Sequence, residues 1–302
     1  MSNDRKPENS LPEVRGEYRF SEPLSKYTWL NVGGPAEVMF FPADEEDLQN
    51  FLRAKNDDLP VFVLGGGSNL LIRDGGMPGV VVKLKNQKFA QIRIEKGKII
   101  CGAGLLNGAL KKILIDNAVG GLEFLCSIPG SLGGAVYSNA GCFGYELSDV
   151  LLSAKIIDKK GNIKEVAAKD FHLSYRHSDF PADWIILELT LKTEEKAASE
   201  ITETLKKNSE YRRVNQPQGI KTAGSTFKNP SGYKAWELIK DSGADKITIG
   251  GAKMSAKHCN FIENDGTATA SDIEKLCESI MEKVEACKGV KLELEVKKVG
   301  KE

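Results

Sequence analysis

Glycine limits what this chain can fold into more than any other residue does. It clusters in the first half of the sequence, at Gly33–Gly34, Gly65–Gly67, Gly75–Gly76, Gly102–Gly104, Gly120–Gly121, Gly130–Gly134 and Gly141–Gly144. Between the clusters lie short runs rich in β-branched residues: VFVL (61–64), VVVKL (80–84), KII (98–100), AKIID (154–158) and WIILELTLK (184–192). Strands bounded by tight turns are the simplest reading of that alternation. Helical periodicity marks DEEDLQNFLRAK (44–55) and LLNGALKKILIDN (105–117). A charged helix is predicted from Glu194 to about Arg212, with Ala197, Ile201 and Leu205 spaced by four. The loop signal QPQG follows, then helices over 232–244 and 269–289. A last strand is predicted from Val290 onward in VKLELEVKKVG. The fold class expected is α+β, a glycine-rich first part followed by a smaller α+β part.

Two of the glycine runs have the character of ligand cradles. VFVLGGGSNLLI (61–72) is a strand entering a turn whose backbone lacks Cβ atoms, so consecutive N–H groups can close on a phosphate. The G-x-G-x-x-G fingerprint fails there because Leu70 stands where the third glycine belongs, and no G-K-[ST] occurs. SIPGSLGGAVYSNAGCFG (127–144) is a second cradle. Two cradles without a γ-phosphate lysine suit a pyrophosphate joined to something planar, and a dinucleotide better than a triphosphate.

Charge and cysteine usage narrow the function class. Lys plus Arg equals Asp plus Glu at 42 each, which argues against a nucleic-acid scaffold and gives no reason to expect a membrane partner. The polar start MSNDRKPENSLPEVRG has no apolar h-region, and no apolar run approaches a membrane span of roughly 18 residues. A cytoplasmic protein is expected, as a monomer. Six cysteines without C-x-x-C and three histidines without H-E-x-x-H point to structural thiols and no metal. Cys142 reads as a small buried thiol, not a covalent flavin anchor.

Three residues invite chemistry. GSTFKNP (224–230) places Ser225 near Lys228 and Asn229, with no neighbouring base to make a nucleophile of the hydroxyl. SYRHSDF (174–180) offers Arg176, a permanent charge with a planar fork suited to carboxylates. LELEV sets Glu293 and Glu295 on one face of a strand. Taken singly, each is equally well a solvated surface residue.

Together, the ordered series TWLNVGGPA, VLGGGSNLL, IPGSLGGAVYSNAGCFG, SYRHSDF, AGSTFKNP, KHCNFIEN and LELEV resembles the UDP-N-acetylenolpyruvoylglucosamine reductase family over nearly the whole chain. The resemblance implies an FAD-binding domain of the vanillyl-alcohol-oxidase (PCMH) type over 21–205, in two α+β subdomains split near 85. A polar leader over 1–20 precedes it and a substrate-binding domain over 206–302 follows. It implies non-covalent FAD, held by Gly65, Gly66, Gly67, Ser68, Asn69, Leu70, Gly130, Ser131, Gly133, Gly134, Ala135, Asn139, Ala140 and Gly141, with NADPH as reductant. The substrate implied is UDP-N-acetylglucosamine enolpyruvate, contacted by Tyr175, Lys228, Asn229, Arg213 and His258. In the implied reaction flavin N5 gives hydride to the vinyl terminus, Arg176 and Glu295 stabilise the enolate, and Ser225 supplies the proton. That role explains a serine without a base.

Lys297 stands where the family often has arginine, and Ser138 where it often has a larger residue. Only 48 residues separate Arg176 from Ser225, so the chain resembles members lacking an extra substrate-covering loop. Two other readings compete: an FAD-dependent sugar or alcohol oxidase of the same flavin fold, and a non-catalytic UDP-sugar sensor.

Overall fold

The computed structural model describes residues 11–302. The chain forms two compact units, each with its own apolar core. The first comprises the described part of Met1–Glu22, Glu37–Gly65 and Gly79–Leu205; the second comprises Pro23–Ala36, Gly66–Pro78 and Lys206–Glu302. Two short segments of the first half are therefore built into the second unit, where a linear division at 205/206 assigns them to the first.

Among the described residues, the first unit carries two short two-stranded sheets and two larger ones. One has four strands in the order Glu17–Pro23, Pro35–Phe41, Met77–Val82, Val61–Val63, the last two parallel. The other has five strands in the order Ile163–Ala167, Leu151–Ile157, Ile185–Lys192, Lys98–Gly102, Ile92–Glu95, with every neighbouring pair antiparallel. The strand Glu17–Pro23 takes up the last four residues of the expected polar leader, 17–20; residues 1–10 of that leader lie outside the described residues. Alternation in Ile185–Lys192 sets Ile185, Leu187, Leu189 and Leu191 in the core, and Ile186 is buried as well.

Three helices cover this unit: α1 (Glu45–Ala54), α2 (Leu110–Asp116) and α3 (Leu132–Tyr137). Asp44 starts α1 by accepting from the Asp47 N–H at 3.0 Å. The Asp47 carboxylate, 3% exposed, accepts from the N–H groups of Arg15, Gly16 and Ala43 at 2.7–2.9 Å. Those three charge-assisted bonds satisfy the buried carboxylate and fasten residues 15–16 beside the helix.

Helix α4 (Ala198–Asn215) leaves this unit; its Ile201 and Leu205 are buried in the first core. Residues Glu194–Glu195, expected inside that helix, instead pair with Val119–Gly120 as a short strand.

In the second unit, α5 (Ala235–Ser242) and α6 (Ala270–Lys288) pack against a three-stranded sheet in the order Thr248–Ile249, Ala252–Met254, Ile262–Asn264. Ile273, Leu276, Ile280 and Val284 form the buried stripe of α6. Thr269 and Asp272 close a capping box at its start, and Gly289, at φ +68°, ends it. Asp74 accepts from the Ala270 and Ser271 N–H groups at 3.0 and 2.9 Å, and Arg73 pairs with Glu274 at 2.9 Å. These bonds hold segment 66–78 in this unit.

The terminal strand is shorter than its alternation predicts. Only Lys297–Val299 forms a ladder, parallel to Leu70–Ile72.

Candidate active site

In the second unit, segment 225–228 runs between two others. The Thr226 N–H donates to the Asn260 carbonyl at 2.8 Å, and the Thr226 carbonyl accepts from the Glu295 N–H at 2.8 Å. The Lys228 N–H donates to the Glu293 carbonyl at 2.9 Å, closing a second bond on the same side. Ser225 forms a bridge with Phe261, and Phe227 with Leu294. The sequence positions 225 and 295, remote in the chain, thus lie on adjacent extended segments.

Asparagines hold these segments in register. Asn260, 4% exposed, accepts from the Phe227 N–H at 3.0 Å and donates to the Phe227 carbonyl at 2.9 Å. The Asn69 side chain donates to the Glu295 carbonyl at 3.1 Å, and its backbone carbonyl accepts from the Lys297 N–H at 3.0 Å. Asn264 donates to the Leu30 carbonyl at 2.8 Å. Asn260 and Asn264 both lie in KHCNFIEN, but the sequence shows no sign of the backbone groups they satisfy. In the glycine run ahead of Asn69, Gly67 has φ +67° and a Cβ there would collide with the Tyr27 carbonyl oxygen, so glycine is required.

Arg176 belongs to the first unit. It sits in a two-residue turn closed by reciprocal backbone bonds between Ser174 and His177 at 3.1 and 3.0 Å, with φ +53°. Its Nη2 donates to the Gly141 carbonyl at 2.7 Å, and its guanidinium lies 5.1 Å from the Tyr175 ring centroid.

Around the glycine loops of this unit, Ser131 caps α3 by accepting from the Gly134 N–H at 3.4 Å. A Cβ on Gly65 would press on that Ser131 Oγ at 2.9 Å, and one on Gly133 on the Ala103 Cβ at 2.9 Å. Those two glycines serve internal packing. A Cβ on Gly134 would meet only the capping hydroxyl at 3.4 Å, so backbone there stands open to an approaching group. Beside this loop, Asn107 donates to the Ile128 carbonyl at 3.1 Å while its Oδ1 is buried without a hydrogen-bond partner. Ribityl and ribose hydroxyls are donors of the kind that oxygen lacks, so these residues fit a flavin dinucleotide.

Residues 36–167 match the family described as FAD binding domain, and residues 216–299 match UDP-N-acetylenolpyruvoylglucosamine reductase, C-terminal domain. The UDP-N-acetylenolpyruvoylglucosamine reductase of Acidiphilium cryptum (strain JF-5) is 45% identical, covering 96% of this chain and 94% of its own. The chain belongs to the UDP-N-acetylenolpyruvoylglucosamine reductase family. The reductase of Rickettsia peacockii (strain Rustic) is 42% identical across 96% of this chain and 98% of its own. The crystal structure of the Thermus caldophilus reductase superposes with a TM-score of 0.81 at 33% identity, covering 95% of this chain and 99% of that one. The first unit, which holds most of residues 36–167, is accordingly an FAD-binding domain.

Among the reductase-family positions expected to touch substrate, several side chains are already engaged. Asn229 accepts from the Ala235 N–H at 3.0 Å at the start of α5. Arg213 forks onto Glu210 at 2.7 and 2.8 Å within α4. His258 packs its ring 4.7 Å from that of Phe261, and its Nδ1 accepts from the Asn260 N–H at 3.3 Å. Burial holds its pKa below the usual histidine range, so the ring is neutral at pH 7. Lys228 lies 3.5 Å from Glu293, and Tyr175 is 46% exposed. In the flavin-binding unit, Asn139 is fully buried with its carboxamide used inside the protein. Cys142, expected to be buried, is only partly so, and its Sγ donates to the Phe124 carbonyl at 3.3 Å.

Lys83 escaped the sequence reading altogether. Its Nζ donates to the Gly65 carbonyl, and burial, aided by the like charge of Lys85, pushes its pKa down to about 8. The unfolded chain therefore holds one more proton than the fold between about pH 8 and 10.5, and stability rises with pH through that window. Denaturant midpoints of the wild type should climb between pH 8 and 10 relative to those of Lys83→Met. Parallel profiles would contradict the assignment.

Proposed function

We propose that the protein reduces the enolpyruvyl group of UDP-N-acetylglucosamine enolpyruvate to give UDP-N-acetylmuramate, with FAD as cofactor and NADPH as reductant. The observation that carries this reading is the 2.8 Å bond from the Glu295 N–H to the Thr226 carbonyl, which sets the carboxyl-bearing segment beside the one bearing Ser225. Segment 21–205 is assigned to cofactor binding, with 23–36 and 66–78 lent to the second unit, and 206–302 to substrate binding.

Bound FAD supplies the hydride that the terminal vinyl carbon accepts. The remaining work falls to side chains of this chain. Hydride addition leaves negative charge on the ether-bearing carbon, shared with the carboxylate as an enolate. Arg176 offsets that charge with a permanent cation, and Glu295, protonated, donates a hydrogen bond to it. Ser225 Oγ gives its proton to the same carbon and is reprotonated from solvent. A hydroxyl suffices as the acid because the carbon it serves is strongly basic and held in place.

Lys228 orients the uridine diphosphate part through charge. Asn229 and Arg213, engaged as they are with Ala235 and Glu210, contribute chiefly by shaping that end of the unit. The turn at Gly65 and the loop 130–141 hold FAD without a covalent link. The reaction belongs to peptidoglycan precursor synthesis, and we place it in the cytoplasm, with a monomer acting alone and neither nucleic acid nor membrane as partner. Among the described residues no helix is long and apolar enough to cross a membrane.

The test is a product assay. Protein, FAD, NADPH and the enolpyruvyl substrate should yield a product heavier by two hydrogens, with one NADPH consumed for each. NADPH consumed only as oxygen is consumed, with substrate mass unchanged, would overturn the reading.

A further inference from the structure

The stretch NAGCFG (139–144), read from sequence as the end of a cofactor cradle, runs on into Tyr145–Glu146 and does something else there. Residues Gly141–Cys142 and Tyr145–Glu146 pair as a two-residue hairpin, Gly141 opposite Glu146. Its central residues, Phe143 and Gly144, have φ +57° and +83°. Positive φ at both is the signature of the tight turn that matches strand twist. A Cβ on Gly141 would press on the Glu146 Cγ at 2.8 Å, so glycine lets the two strands close.

Both strands of this hairpin meet the same guanidinium. Gly141 accepts from Arg176 Nη2 at 2.7 Å, and the Glu146 Oε1 lies 3.6 Å from Arg176 Nη1. At that separation the carboxylate is a charged neighbour and not a hydrogen-bond partner.

Glu146 itself has little freedom. Its Oε2 accepts from Asn139 Nδ2 at 2.8 Å, and its own N–H donates to the Asp149 carboxylate at 2.8 Å. Asn139, 0% exposed and at φ +41°, also donates to the Ser174 carbonyl at 3.0 Å and accepts from the Ser148 N–H at 2.9 Å. One buried carboxamide thus fixes both the carboxylate beside Arg176 and the turn that carries Arg176.

We propose that Glu146 is a positioning residue for Arg176, held by Asn139, and that the 141–146 hairpin exists to aim the guanidinium. The inference rests on the reading of Arg176 given under Proposed function. An anionic neighbour weakens the pull of Arg176 on a substrate carboxylate in the ground state while fixing the direction of its N–H groups. Loss of the charge therefore lowers kcat without raising KM.

Glu146→Gln keeps an oxygen for Asn139 and removes the charge. With flavin bound, its bleaching by NADPH should match wild type, and its reoxidation by the enolpyruvyl substrate should slow about tenfold or more, the scale on which misplacement is felt. KM for that substrate should be no higher than wild type. The double variant E146Q/R176Q should be no slower than R176Q alone, since a residue acting through Arg176 has nothing left to act on. If R176Q is slow and E146Q reoxidises at the wild-type rate, this inference falls and the reading of Arg176 stands. If R176Q itself reoxidises at the wild-type rate, the reading of Arg176 falls and takes the inference with it. Should E146Q fail to hold flavin, Glu146→Asp repeats the test; loss of flavin there too, or equal slowing of both half-reactions, assigns Glu146 to building the fold and overturns the proposal.

Discussion

Ser225→Ala is expected to bleach normally with NADPH and then to stay reduced when the enolpyruvyl substrate is added. The hydroxyl takes no part in loading the cofactor, so flavin content and the first half-reaction should match wild type. The second half-reaction should fall by about 10² to 10⁴-fold, the usual contribution of a positioned proton donor. Ser225 follows Gly224, at φ +79°, and is bridged to Phe261, so the backbone that carries the hydroxyl is fixed by bonds alanine does not disturb. Thermal stability should therefore be nearly unchanged, which separates lost chemistry from lost fold. Reoxidation at the wild-type rate in this variant would remove Ser225 from the proton-donor role.

Arg176→Lys keeps the charge and loses the fork. Lysine presents a compact ammonium on a flexible stem, and it cannot both donate to the Gly141 carbonyl as Arg176 does and present parallel N–H groups to a carboxylate. Loss of one preorganised donor at a developing charge typically costs about 10² to 10³-fold in rate. We expect a fall of that size in substrate-driven reoxidation, again with NADPH bleaching preserved. An undiminished rate would mean that charge alone suffices there, and that the turn at 174–177 serves another purpose.

The elements that were legible in the sequence are those whose signal is local. Helix α6 was readable because its apolar stripe repeats over nineteen residues and ends at Gly289. The strand in Glu17–Pro23 was hidden because EYRFSEP sits at a sheet edge, mostly exposed or half-exposed, where charges and proline are tolerated. LELEV misled in the opposite direction. Its alternation is real, with Leu292 and Val296 buried, but its partner segment 225–228 is short and runs into Asn229 and Pro230, which end the pairing. Helix α3 was masked by the glycines of SLGGAVY, although Ser131 at its start is an ordinary cap.

Candidate residues divide along the same line. Ser225, Arg176 and Glu295 stand out as candidates because each sits in a distinctive string, and the roles proposed for them come from the resemblance of the strings in order, which spacing alone does not give. The bonds that hold their segments were not readable, although the resemblance names Asn69 and Asn139 as cofactor contacts. Asn139 reaches 35 positions to Ser174, Asn260 reaches 33 to Phe227, and Asn69 reaches 226 to Glu295. Nothing local distinguishes such an asparagine from one in a solvated turn. Lys83 is similar, an apparent strand lysine whose ammonium in fact serves the Gly65 carbonyl.

The most direct test of the account is an anaerobic visible spectrum of the flavin-loaded protein, taken alone, after NADPH, and after UDP-N-acetylglucosamine enolpyruvate. The flavin band should bleach with NADPH and return in full with the substrate, without oxygen. A band that bleaches and returns only when oxygen is admitted would contradict the assigned reaction and make the protein an oxidase of the same fold.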